Sequence, residues 1–279
     1  MIVGIAAQAF AIEPEAALST EERAMLARFG ESVDESTFVL TIADAPPFVA
    51  NDAPPDGEPA QIATYGDRIR VTHHRFVAEL DPQGARGVLH RANPADAFAL
   101  EITLRTALSC RLPCDGGLLL HTAGAVIDGE AVLFFGVSGA GKSTLAELLP
   151  APILSDELVA VSRAPRGNDG GPPSSLFAAC ATGFWGTLEG LAAAPPSGNF
   201  PIKALVALDR GAELAITPVD RRDALRSLIV VAVVPPDPPL WRAALDAVAS
   251  LAMTVPVYRL TWTPSAAGAE RIVAYFHQR

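Results

Sequence analysis

Apolar and polar residues alternate over residues 67–71 and 75–80, and residues 87–90 continue in the same style, which predicts a run of strands. The apolar stretch 1–11 reads as a first strand. Residues 45–59, rich in Pro and Asp and without periodicity, mark a surface loop. Beyond Pro94 the spacing becomes helical, through Ala95, Phe98, Ala99, Ile102, Leu104 and Leu108, with Asn93 as the expected N-cap. Residues 1–110 therefore read as a strand-rich α+β region, available to hold a substrate or partner.

The pattern is clearest over the rest of the chain, residues 111–279. Residues 118–127 read as a single strand, and Asp128-Gly129 is a strong signal for a two-residue hairpin turn. The return strand, 131–135, runs into a glycine-rich segment. A helix follows at 143–149, stopped by Pro150 and Pro152, and 153–161 reads as a strand carrying Ser155, Asp156 and Glu157. Residues 164–175, rich in Gly and Pro, form a loop long enough to act as a lid. Further strands are expected at 200–208 and 257–262, and helices at 221–234, 240–253 and 267–276. With an antiparallel arm beside the strand that feeds the glycine-rich segment, the sheet should be mixed rather than wholly parallel.

Composition narrows the function classes. Half of the 279 residues are hydrophobic, enough to bury a sizeable core. A net charge of −10, with 21 Lys and Arg spread along the chain, argues against a nucleic-acid partner. The three cysteines, Cys110, Cys114 and Cys180, are too few for a disulfide framework and lack the companions of a zinc site, so reduced thiols are expected. No Lys or Arg precedes the apolar N-terminus as in a secretion signal, and no run reaches the ~18 apolar residues of a membrane span; a cytoplasmic protein is expected.

The glycine-rich segment carries the chemistry. Gly136, Ser138, Gly139, Ala140, Gly141, Lys142, Ser143 and Thr144 form a phosphate-loop pattern, in which glycines let several backbone N–H groups converge on phosphate oxygens. Lys142 is expected to reach the β- and γ-phosphates of ATP, and the Ser143 hydroxyl to ligate Mg²⁺. Phosphoryl transfer also needs carboxylates. Asp156 and Glu157, 14 and 15 residues beyond Lys142, are one candidate; Asp209, ending an apolar strand as in a Walker B motif, is another. His121, in the apolar arm beside the loop strand, is either a hydrogen-bonded core residue or a partner that tunes a catalytic carboxylate.

Together these features resemble the HPr kinase/phosphorylase family, grouped with phosphoenolpyruvate carboxykinase. In that family a His lies 15 residues before the first glycine of the loop, as His121 lies before Gly136, and an acidic pair follows on the next strand. The resemblance covers 118–162 well. It implies a mixed-sheet P-loop kinase core at 111–279, with Asp156 as the base for a seryl hydroxyl, His121 as its partner and Glu157 on the metal side. Three departures stand out: Thr122 replaces the Gly after the His, Glu157 replaces the second Asp, and the family's phosphorolysis signature is missing, Phe184, Trp185, Gly186 and Thr187 lying where it would fall. These are similar to divergent HPr-kinase-like proteins, some of which phosphorylate serine in precursor peptides.

The expectation is an ATP- and Mg²⁺-dependent kinase acting on a serine of a peptide or protein, with room for a homo-oligomer. A small-metabolite kinase and a nucleotide-binding regulatory protein with little turnover stay open as alternatives.

Overall fold

The computed structural model describes residues 1–6, 8–14, 17–31, 37–44, 58–92, 97–164, 176–190 and 194–279. Asn93, most of the 45–59 loop and residues 165–175 of the expected lid lie outside the described residues. Two compact units make up the chain: Met1–Cys114 with Pro235–Trp241, and Asp115–Val234 with Arg242–Arg279. The described residues form a mixed α/β fold of two mixed sheets and six helices.

The first unit contains β1 (Ile2–Ile5), β2 (Gln8–Pro14), α1 (Thr20–Leu26), β3 (Gly30–Glu31), β4 (Thr37–Asp44), β5 (Gln61–Tyr65), β6 (Arg68–His73), β7 (Phe76–Asp81), β8 (Arg86–Arg91) and α2 (Phe98–Cys114). Its strands run in the order β3-β1-β2-β4-β8-β7-β6-β5, with β2, β4 and β8 mutually parallel. The single strand expected at 1–11 is instead two strands of a tight hairpin, pairing Ile5 with Gln8. Ala6 turns the chain at φ 53°, a conformation uncommon outside Gly, Asn and Asp, so the sequence carries no turn signal there. Helix α2 packs on β2, β7 and β8, and its Leu100, Leu104 and Leu108 are buried, as are Phe10, Leu80 and Leu89 of those strands.

A charged cluster lies inside this core. Arg91 on β8 is fully buried and pairs with the equally buried Glu22 of α1, with Asp44 (3.1 Å) and with the Ala17 carbonyl (2.9 Å). Glu22 also closes a capping box, accepting the Ser19 N–H (2.8 Å) while its own N–H donates to Ser19 Oγ (3.1 Å). One carboxylate thus starts α1 and neutralises a buried guanidinium. Because removing one partner leaves the other charge uncompensated, Glu22→Gln should destabilise the protein by about 3 kcal/mol in urea unfolding. A loss under about 0.5 kcal/mol would mean that Asp44 alone suffices.

In the second unit the elements are β9 (Leu118–His121), β10 (Ala123–Ile127), β11 (Glu130–Phe135), α3 (Lys142–Leu148), β12 (Ile153–Ser155), β13 (Leu158–Arg163), β14 (Phe177–Ala181), β15 (Phe200–Arg210), β16 (Ala215–Pro218), α4 (Arg221–Val231), β17 (Ala232–Val233), α5 (Pro238–Thr254, in this unit from Arg242 on), β18 (Val257–Trp262) and α6 (Ala266–His277). The main path is β12-β10-β11-β15-β14-β13-β9-β17, and β18 and β16 continue the sheet from β15. Strand β15 is shared: its first residues pair with β14, and Leu205 to Arg210 pair with β18. Strands β11, β15 and β18 are parallel, and the sheet is mixed.

Both faces of this sheet are covered. Leu133 and Phe135 face one core with Leu228 of α4 and Val248 and Leu251 of α5. The alternate residues Val132 and Phe134 face the other core, with Leu145 of α3 and Ile272 and Phe276 of α6. Burial on both faces explains the nearly unbroken apolar run of β11. Its hairpin with β10 turns at Asp128 (φ 53°) and Gly129 (φ 80°), the two positive angles that a two-residue turn demands.

Two expected strands are each broken. Segment 118–127 divides at Thr122, and 153–161 divides at Asp156 and Glu157. The two breaks lie side by side, since His121 pairs with Leu158 and Gly124 with Ser155. Thr122 is buried and donates its hydroxyl to the Phe134 carbonyl (2.7 Å), while its N–H donates to the Glu157 carbonyl (3.0 Å). Ser155 Oγ accepts the N–H groups of Glu157 (2.9 Å) and Leu158 (3.0 Å) and donates to the Phe184 carbonyl (2.8 Å). These hydroxyls replace ladder bonds where the chain bends.

Candidate active site

The parallel strands β11, β15 and β18 end at one edge of the sheet, Phe135 level with Ala207 and Arg210 level with Trp262. Ligands of open α/β sheets bind outside such carboxyl ends. The glycine-rich loop 136–144 leaves β11 at this edge. Gly136 sits so close to the Leu208 carbonyl and Ala140 that a Cβ there would lie 3.2 and 2.9 Å from them. Gly139 (φ 75°) and Gly141 (φ 98°) hold left-handed angles, and Gly141 is the N-cap of α3. Glycine at these positions lets the loop turn tightly enough to enter the helix at Lys142.

A cleft of about 790 Å³ opens over the loop. It is lined by Gly136, Ser138, Gly139, Gly141, Lys142, Ser143 and Thr144 and, facing them, by His121, Asp156 and Glu157. Every site residue expected from the sequence lines this one space except Ala140 and the alternative carboxylate Asp209; Ala140 is buried in the core beneath the loop. Asp209 does not line it. Its carboxylate lies 3.7 Å from the Arg259 guanidinium, both side chains being about half exposed.

Lys142 is 8% exposed, and its ammonium donates to the Gly136 carbonyl (3.1 Å). Burial holds its pKa below the ordinary 10.5, because desolvation penalises the charged form. Asp156 is 2% exposed. One of its oxygens accepts the Gly186 N–H (2.8 Å) and the other the Leu188 N–H (3.3 Å). Two bonds use half of the lone pairs of a carboxylate and leave acceptor capacity toward the cleft. Gly186 approaches so closely that a Cβ would lie 3.2 Å from Asp156 Oδ2.

Sequence reasoning gave no role to five further residues of the cleft. Arg210, at the end of β15, lines the cleft and donates to the Gly139 carbonyl (2.5 Å), adding a second cation beside Lys142. Its signal was the Asp209-Arg210 pair at a strand end, where neighbouring side chains point to opposite faces. Gly186 and Thr187 line the cleft, Gly186 donating its N–H to Asp156, and Val230 and Val231, ending α4, supply an apolar lip.

Among the described residues no group of three or more His, Cys, Asp or Glu is arranged to hold a metal ion. Mg²⁺ needs none, since it binds through one or two carboxylates, waters and substrate phosphates. The hard oxygens of Ser143 and Glu157, both lining the cleft, fit that donor chemistry. No protein-family model matches the chain, and no curated protein matches it in sequence. No helix among the described residues is long and apolar enough to cross a membrane.

Proposed function

We propose that the chain is an ATP- and Mg²⁺-dependent kinase that transfers the γ-phosphoryl group to a serine hydroxyl of a peptide or protein, with a core of the HPr kinase/phosphoenolpyruvate carboxykinase type. The reading rests on one observation: the loop residues Lys142 and Ser143 share a single cleft with Asp156, Glu157 and His121. A phosphate loop alone serves motors and switches as well; a buried, oriented carboxylate facing it suits activation of a hydroxyl.

In this reading the loop amides, Lys142 and Arg210 hold the polyphosphate and offset the charge of the transition state. The acceptor oxygen forms a bond to the γ-phosphorus while the bond to the β,γ-bridging oxygen breaks, its electron pair leaving with ADP. The hydroxyl proton passes to the Asp156 carboxylate, which the Gly186 and Leu188 N–H groups keep in place. Ser143 and Glu157 would hold Mg²⁺, which supplies charge neutralisation when bound. His121, opposite Leu158 and next to the Glu157 bend, borders the acceptor side.

The test is a screen of serine-containing peptides with ATP and Mg²⁺, read by mass spectrometry and ADP release. A phosphoserine product is expected; tight ATP binding with no acceptor-dependent ADP release would turn the assignment toward a regulatory nucleotide-binding protein, and phosphorylation confined to a metabolite pool toward a small-molecule kinase.

A pH dependence follows from Lys142. In the free protein its ammonium loses its proton below the ordinary 10.5, and a bound polyphosphate favours the charged form. ATP affinity should therefore fall as pH rises through the lowered value, with proton uptake on binding above that value. Calorimetry in buffers of different ionisation enthalpy measures the uptake. Lys142→Arg should abolish it, since a guanidinium stays charged throughout. Without ligand the sign reverses: between the lowered value and 10.5 the unfolded state binds the proton more strongly, so stability rises with pH across that range.

A further inference from the structure

A second space, of about 510 Å³, adjoins the loop on its other side. It is bounded by Ala140 and Gly141 of the loop, by Arg210, and by Trp262, Thr263 and Pro264 after β18. Gly141, Thr144 and Arg210 line both spaces, so the two meet at the start of α3. We propose that this second space takes the nucleoside end of the nucleotide whose polyphosphate lies on the loop, which leaves the cleft at His121 and Asp156 to the acceptor. The assignment rests on the kinase reading and adds to it the direction in which the nucleotide lies.

Three observations carry it. First, the space lies at the carboxyl ends of β15 and β18, the edge at which α/β sheets bind nucleotides, and β18 is the parallel neighbour on the far side of β15 from β11. Second, its lining differs in kind from that of the cleft. Asp156, Glu157 and His121 line only the cleft, so an acceptor needing a base has no partner in the second space. Exposed Pro264 offers apolar surface there above the nearly buried Trp262 and Ala140, Arg210 a planar cation that can stack on a base, and Thr263 polar atoms. Third, the walls are held before any ligand arrives. Thr263 Oγ1 donates to the Gly211 carbonyl (2.8 Å), the Gly211 N–H donates to the Trp262 carbonyl (3.3 Å), and Arg210 is tied to Gly139. Trp262 is only 2% exposed and belongs to the core shared with α3 and α6, which fixes the floor.

The experiment compares ATP with inorganic tripolyphosphate, both with Mg²⁺, by calorimetry. Wild-type protein should bind ATP about tenfold more tightly than tripolyphosphate, the contribution of a stacked base. Pro264→Trp, at an exposed position, should fill the space and bring ATP to the tripolyphosphate affinity while tripolyphosphate stays within about twofold of wild type. Unchanged ATP affinity in P264W overturns the nucleoside assignment alone. Binding of neither ligand by wild type sinks the phosphate-site reading and the assignment with it. Should P264W weaken both ligands equally, photolabelling of the wild-type protein with 8-azido-ATP decides: label on residues 262–264 supports the assignment, and label on residues 229–231 or elsewhere overturns it.

Discussion

Lys142→Met should lower kcat/KM for ATP by about a thousandfold while leaving the melting temperature undiminished. The two effects separate because of where the ammonium sits. Lys142 is nearly buried, its charge is disfavoured by that burial, and the Gly136 carbonyl is the acceptor of its hydrogen bond. Methionine fills much the same volume without a charge, so the free protein is relieved of a desolvation penalty. The nucleotide-bound state loses a cation at the β- and γ-phosphates, where charge develops in the transition state. A fall in melting temperature of more than a few degrees would mean that Lys142 supports the loop rather than a ligand. Retention of wild-type kcat/KM would remove the loop from catalysis altogether.

Asp156→Asn should reduce phosphoryl transfer by about a thousandfold and leave the ATP dissociation constant within about twofold of wild type. Asparagine keeps the shape and one acceptor for the Gly186 N–H, but its amide nitrogen cannot accept from Leu188 or take a proton. The stability loss should be about 1 kcal/mol, one hydrogen bond, far short of what would explain the activity loss. The acceptor is whichever peptide the wild-type enzyme phosphorylates in the screen, and single-turnover kinetics separate binding from chemistry. Wild-type turnover in D156N would remove Asp156 from the role of base.

The local signals in the sequence were legible where one residue type answers one backbone demand. Asp128-Gly129 marked the hairpin because both positions need positive φ, and Gly139 and Gly141 marked the loop for the same reason. The breaks at Thr122 and at Asp156 and Glu157 were not legible. Both segments are apolar enough for continuous strands, and what interrupts them is a set of hydroxyl bonds to Phe134 and Phe184, the latter 29 residues from Ser155. Proximity of His121 to the acids was expected from the family resemblance alone and not from the apolar pattern, since it follows from the pairing of β9 with β13 rather than from the hairpin that places β10 beside the loop. Asp209 looked like a Walker B acid because a strand-end carboxylate has the same local pattern whichever face it takes. Only the pairing with β18 shows that Asp209 meets Arg259 and that Arg210 meets the loop.

Strand β15 has a bearing on the order of folding. The loop 136–144 takes its shape against Leu208, and the Arg210 that ties Gly139 is 71 positions away. Parallel pairing of β11 with β15, and of β15 with β18, closes long stretches of chain before any contact rewards it, the kind of topology that forms slowly. A nascent chain that has made only the glycine-rich segment and α3 therefore has no backing for the loop. On the proposed reading, competence to hold a phosphate would arrive with the insertion of β15, and nucleotide binding would report that the centre of the sheet has closed.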